Sequence, residues 1–208
     1  MLNLLISTAL SLSLLITPVS TEAGISGQLT SQEIVLASES LDLSNRYPVL
    51  SVSEGFKENI LTAVSYFNQE ASASGGLILQ PGQVFAFHRN IAPEFRQFTI
   101  ITQPSGFLAK DGYKVVAGLA GNGVCHLASI MNLAAQEAGL EVTAPANHNY
   151  AKIPGIDPKY GTSIKFLPNG GANTERQNLY IRNIFDFPVE FRFVLEGENL
   201  KFLIFAAS

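Results

Sequence analysis

The sequence predicts an α+β fold, an antiparallel sheet with two main helices, and three observations predict it. Two segments carry apolar residues at helical spacing, several short apolar runs lie between turn residues, and the last stretch reads as two strands joined by a tight connection. At 208 residues the chain is long enough to bury one substantial core, so a single domain is expected. There is no internal repeat and no low-complexity tract.

Residues 2–19 form an apolar and hydroxyl-bearing run without a charge, and Thr21-Glu22-Ala23 puts small residues where a signal peptidase cleaves. A signal peptide over 1–23 is expected, with a mature chain starting near Gly24 and a secreted, periplasmic or wall-associated location. The first Lys or Arg is Arg46, so only the α-amino group supplies positive charge ahead of the run. An uncleaved segment would hold the chain at the membrane, although Pro18 and several serines make it a poor span. A lipid anchor is excluded, because the single cysteine is Cys125, far beyond the signal.

Residues 24–45 are rich in Ser, Thr and Gln with short apolar pieces such as Ile34-Val35-Leu36, and read as a leader or edge segment. The leader is taken over 24–50 and the domain over 51–208. Phe56, Ile60, Val64 and Phe67 then mark one face of a helix over 56–71, with Ser51 and Glu54 spaced as a capping box and Gly75-Gly76 as its stop. Residues 77–80, the turn Pro81-Gly82 and residues 84–88 read as strand, turn, strand. Strands follow over 98–102 and 113–117. The glycine-rich stretch Gly118-Leu-Ala-Gly121-Asn-Gly123 leads into a helix over 125–138, buried through Leu127, Ile130, Met131, Ala134 and Ala138 and ended by Gly139. Strands over 140–143, 163–167 and 179–183, and a hairpin of 189–195 with 200–205, complete the pattern.

Charged residues are 14% of the chain and the net charge is −4, with no Lys/Arg cluster able to neutralise phosphates. Nucleic-acid binding is therefore not expected. A lone cysteine in an oxidising compartment is either packed away, paired with another chain, or kept for chemistry. Its place at a helix start favours chemistry, since unpaired N–H groups and the positive end of the helix dipole stabilise a thiolate. Gly121 and Gly123 allow close backbone approach, and the Cys125 amide is positioned to donate to a developing oxyanion. Of three histidines, His148 in Asn147-His148-Asn149-Tyr150 is the candidate base, with Asp157 as its orienter and Asn147 and Asn149 as competing orienters. His126, next to Cys125 on the helix, diverges from it by about 100°. His88 reads as a surface or packing residue. A metal site is not expected, because no Cys-x-x-Cys or His-x-x-x-His pair is present, and no cofactor is expected either.

These residues resemble those of a known family. Leu79-Gln-Pro81-Gly82-Gln-Val-Phe85-Ala-Phe87 resembles the Pro-Gly-x-x-Phe-Ser-Phe-Asn segment of VanW-domain proteins, and Gly112-Tyr113 their Gly-Tyr pair. Gly121-Asn-Gly-Val-Cys125-His-Leu-Ala-Ser129, running on to Ala138-Gly139-Leu140, is similar to their Gly-Gly-Gly-Val-Cys-Gln-x-Ser-Ser signature and the Ala-Gly-Leu that ends its helix. His148-Asn149 and Gly155-Ile-Asp157 are similar to its His-Ser and Gly-Arg-Asp. Asn122, His126, Ala128 and Ile156 depart from the family pattern, the interval from His148 to Asp157 is short, and residues 169–175 look inserted, which marks a divergent member. The resemblance implies a cell-envelope role, and the order Cys, helix, strand, His, strand, Asp is similar to that of transglutaminase-like and papain-like enzymes. The expectation is therefore a Cys125-His148-Asp157 set performing acyl or amide transfer or hydrolysis on peptidoglycan-related peptides. Gly121, Gly123, His126, Ser129 and Asn149 are the candidate substrate-binding or oxyanion positions. The alternative is a non-catalytic domain that binds cell-wall peptide or glycan around a structural cysteine.

Overall fold

The computed structural model describes residues 33–72, 75–103, 106–166 and 171–207. The expected signal over 1–23 lies outside them, as does residue 167. The fold is α+β. The first sheet joins β1 (Ile34–Asp42), β10 (Asn199–Ala206), β9 (Val189–Glu196) and β2 (Leu77–Leu79) in the order β1-β10-β9-β2, all antiparallel. The second has the order β4-β3-β8-β7, from β3 (Val84–His88), β4 (Thr99–Gln103), β7 (Glu141–Thr143) and β8 (Tyr180–Arg182). A two-stranded ribbon of β5 (Val115–Val116) and β6 (Leu119–Ala120) stands apart. The single antiparallel sheet expected from sequence is thus two sheets, and β3 runs parallel to β4.

Each strand follows from its side chains. β9 and β10 turn Phe191, Phe193, Leu200, Phe202 and Ile204 inward, and Gly197 at φ +61° closes the two-residue hairpin that pairs Glu196 with Asn199. All five residues of β3 are buried, as befits a central strand covered on both faces. β2 and β3 do not form the expected hairpin. The turn at Pro81-Gly82 carries the chain from one sheet to the other, held by buried Asn183, whose side-chain amide donates to Leu79 O at 2.9 Å and Phe187 O at 2.8 Å while its backbone carbonyl accepts Gly82 N–H at 2.8 Å. The segment read as leader or edge contains β1, an edge strand registered along β10 with a bulge between Val35 and Ala37.

Among the described residues three α-helices accompany the sheets: α1 (Leu50–Gln69), α2 (Val124–Glu137) and the single turn α3 (Ala172–Glu175). α1 starts earlier than its apolar face suggested. Its N-cap is Val49 without a side-chain cap, so the Ser51–Glu54 capping box does not form; both residues are inside the helix. α2 packs on β1 and β10, against α1 and against β7, so the cysteine-bearing helix lies on the first sheet within one apolar core. The strand expected over 163–167 is absent among the described residues 163–166. There the backbone N–H of Thr162 goes to Ser129 Oγ at 2.8 Å and that of Ile164 to Cys125 Sγ at 3.4 Å, so side chains of α2 occupy the places a neighbouring strand would take. Among the described residues no helix is long and apolar enough to cross a membrane.

Candidate functional site

The approach to α2 is built from two glycines and one asparagine. Gly123 has φ +110°, and a Cβ there would meet Phe56 O at 2.6 Å; Gly121 has φ +72°, and its Cβ would meet Phe107 Cβ at 2.7 Å. Both positions need glycine for conformation and for room. Buried Asn59 of α1 ties the segment down, donating to Lys114 O at 3.1 Å and Asn122 O at 2.9 Å and accepting Lys114 N–H at 2.7 Å. Asn122 in turn donates to Val116 O at 2.8 Å.

This frame sets Cys125 in the first turn of the fourteen-residue α2. Its sulfur lies 3.4 Å from Ile164 N and 3.5 Å from Ile164 O. Among the described residues its own amide donates to no carbonyl and lies close enough to the sulfur to favour the thiolate. The residue is half-buried and lines a cavity of about 400 Å³. Phe107, Leu108, Leu119 and Phe166 give that cavity apolar walls, and Tyr150, Ser163 and Gln177 give it one polar side. Burial is the largest influence on the thiol and pushes its pKa up; the Ile164 N–H, the Tyr150 hydroxyl and the Cys125 amide act the other way without reversing it. The resting group is the neutral thiol.

The structure places His148, Asn149 and Asp157 around a second cavity, of about 240 Å³, lined also by Ile153 and Ile156. His148 is buried and its Nδ1 lies 3.0 Å from Ala151 O. Because a carbonyl only accepts, Nδ1 carries the hydrogen and Nε2 is the basic nitrogen. Burial lowers the His148 pKa. Its orienting partner is the Ala151 carbonyl and not Asp157, whose carboxylate accepts Lys159 N–H at 3.0 Å, caps the short 3-10 turn Pro158–Tyr160 and sits 3.8 Å from the Lys159 ammonium. His148 and Asp157 therefore share a cavity without a hydrogen bond between them, and Cys125 opens on the other one. Asn149 is exposed, and Asn147 donates to Pro158 O at 3.0 Å.

His126 is buried with its ring edge-on to Phe56 at 5.4 Å and 6.3 Å from the His148 ring. Desolvation first, then the Arg46 charge and His148, push its pKa down to about 3. Ser129 is buried, donating to Cys125 O at 2.7 Å and accepting Thr162 N–H at 2.8 Å, so it fastens the 162–164 segment to the helix. His88 is fully buried, with Nε2 2.9 Å from Gln177 O and Nδ1 accepting Asn90 N–H at 3.2 Å, and desolvation pushes its pKa down to about 4. Among the described residues no three His, Cys, Asp or Glu side chains converge as metal ligands would.

The residue that sequence reasoning passed over is Tyr150. Its ring centroid lies 4.1 Å from that of His148 at a tilt of 44°, and it lines the same cavity as Cys125, where its hydroxyl acts to lower the thiol pKa, although it is 72% exposed. The available signal is its offset from His148: on extended chain, residues two apart project to the same side. Comparison with known proteins adds one finding. The family model described as VanW like protein matches residues 57–205, while no curated protein and no solved structure matches the chain.

Proposed function

The chain belongs to the VanW-like family, and from that premise we propose that it is an exported cell-envelope protein whose Cys125 transfers or hydrolyses acyl or amide groups of peptidoglycan-related peptides. The observation that carries this reading is the thiol itself: in the first turn of α2, on the wall of a cavity large enough for a peptide side chain or two, beside a backbone amide with no carbonyl partner among the described residues. Attack of sulfur on a carbonyl would place the developing oxyanion near that amide. Expulsion of the amine would leave a thioester for water or a second amine to resolve. The apolar walls and the polar row at Tyr150, Ser163 and Gln177 suit an acyl chain with an amide beside it.

A second reading has its own observation. The Cys125 sulfur receives Ile164 N–H as a strand carbonyl would, which favours a non-catalytic domain binding wall peptide or glycan around a structural thiol. Incubating the full chain with purified peptidoglycan stem peptides and following products by mass spectrometry separates the two. New amine or acyl products that vanish in Cys125→Ser support catalysis. Binding without products, and a thiol that alkylates only after denaturation, support the binding domain. Export is tested by expressing the chain in a bacterium: a mature N-terminus near Gly24 outside the cytoplasm supports it, whereas full-length chain found only in the membrane supports an uncleaved anchor.

A further inference from the structure

We propose that the cavity of about 240 Å³ beside His148 binds a carboxylate, that of a short peptide or an N-acylated amino acid, through Arg46, His126 and His148. The inference stands apart from the reading of Cys125, which lines the other cavity. It starts from a charge without a counter-ion. Arg46 is 4% exposed, yet among the described residues it enters no ion pair and its Nε has no hydrogen-bond partner. Its backbone N–H donates to Ser53 Oγ of α1 at 2.8 Å, and its guanidinium reaches across to a neutral acceptor, Pro154 O, at 3.2 Å. A buried guanidinium that faces a carbonyl and no carboxylate is costly, and an anion brought to it offsets that cost. The neighbouring acids are committed elsewhere. Asp42 Oδ1 accepts Ser44 N–H at 2.9 Å and the Ser44 hydroxyl at 2.6 Å, while Asp157 accepts Lys159 N–H at 3.0 Å and sits 3.8 Å from its ammonium.

His126 of α2 supplies a second open group. It is buried, its Nδ1 has no hydrogen-bond partner among the described residues, and its ring centroid lies 6.3 Å from that of His148. With its hydrogen on that nitrogen, neutral His126 is a donor lacking an acceptor. The Arg46 charge is near enough to help depress the His126 pKa. His148 lines the cavity, and Pro154, which holds the guanidinium, falls in sequence between the wall residues Ile153 and Ile156. One cation and two imidazoles thus back onto a single recess. His148 binds as the imidazolium: Nδ1–H stays on Ala151 O at 3.0 Å, and the arriving carboxylate favours a proton on Nε2. The recess also sets the rest of the ligand. Ile153, Ile156 and Pro158 give it apolar walls, and Lys152 adds a cation. Inorganic phosphate would leave those walls uncovered, whereas a carboxylate borne on a small apolar residue covers them.

The test uses the full chain and three probes: N-acetyl-L-alanine, its neutral amide, and inorganic phosphate. The chain has three histidines, so their imidazole C2–H signals are read by proton NMR at about pH 6, within reach of imidazole protonation, and assigned from His126→Gln and His148→Gln. Expected is that N-acetyl-L-alanine, with a dissociation constant of about a millimolar, moves the His126 and His148 signals and leaves His88, which sits beside Phe107 and Phe166 of the other cavity. The amide should move none of them. Arg46→Met should bind the acid about tenfold or more weakly while its ligand-free urea midpoint equals or exceeds that of wild type, because an uncompensated buried charge has gone. Equal binding of acid and amide overturns the proposal, as does binding of phosphate without the acid, a shift confined to His88, or unchanged affinity in Arg46→Met. A lowered midpoint in Arg46→Met with unmoved imidazole signals in wild type makes Arg46 a structural strut and overturns it too. If Arg46→Met does not fold, the wild-type response to acid against amide decides.

Discussion

Acid should unfold this protein earlier than its carboxylates alone would predict, because the fold holds its histidines neutral. The His88 pKa is pushed down to about 4 and that of His126 to about 3, in both cases chiefly by desolvation, and His148 is lowered as well. In the unfolded chain each imidazole titrates near its ordinary value of about 6.5. As pH falls through 6.5 the unfolded state takes up protons that the folded state refuses, so stability is complete above that value and is lost progressively toward pH 4 and pH 3. Between pH 8 and pH 5, His88 and His126 each account for about 2 kcal/mol of that loss. Together they remove about 4 kcal/mol from a total that for a domain is about 5–15 kcal/mol. Glu39 opposes the trend, since desolvation and its neighbour Glu137 raise its pKa and protonation there favours the fold. Urea unfolding followed by far-UV circular dichroism at the two pH values reads the difference directly. With a slope of about 2 kcal/mol per molar urea, the midpoint should fall by about 2 M from pH 8 to pH 5. His88→Gln, less stable at pH 8 for want of its two ring hydrogen bonds, should show a pH dependence smaller by about 2 kcal/mol. A midpoint that does not move between pH 8 and pH 5, at unchanged slope, would refute the claim that these imidazoles are buried neutral.

Three further outcomes follow from single side chains. Gly123→Ala forces a Cβ to within 2.6 Å of Phe56 O at φ +110° and should cost about 3 kcal/mol in urea unfolding. Ser129→Ala orphans the buried Thr162 N–H and should cost about 2 kcal/mol; thermal unfolding checks it. Asp157→Ala removes only an exposed cap on the Pro158–Tyr160 turn, so urea unfolding should register about 1 kcal/mol or less and iodoacetamide should label Cys125 at the wild-type rate.

What the sequence reveals of the fold depends on whether a segment's partners are of the usual kind. β9 and β10 satisfy each other, and β3 its neighbours β4 and β8, through backbone ladders, and all three bury alternating or continuous apolar side chains, so their composition alone announces them. β1 is less visible because its inward side carries Glu39 between Ala37 and Leu41, which breaks the apolar alternation. The Pro81-Gly82 turn has the same local chemistry whether the chain returns to its own sheet or crosses to another. The crossing is held by Asn183, about a hundred residues away in sequence and silent in a local pattern.

The site divides along the same line. That Cys125 begins a helix behind two glycines is a local property, legible because positive φ and missing Cβ atoms can only be supplied by glycine at such points. What the thiol and the imidazole touch is not local. His148 and Asp157 have residue types that suit a triad, yet each is satisfied by the backbone of its own loop, through Ala151 O and Lys159 N. A carbonyl or an amide is available at every residue and leaves no trace in composition. Tyr150 escaped for the converse reason: an exposed tyrosine in a polar loop is unremarkable until the rings at 148 and 150 are seen to lie 4.1 Å apart and the tyrosine to line the cavity of Cys125. The loop 147–161 therefore brings Tyr150 to the wall of the Cys125 cavity, while the imidazole that sequence order pairs with Cys125 lines the other one.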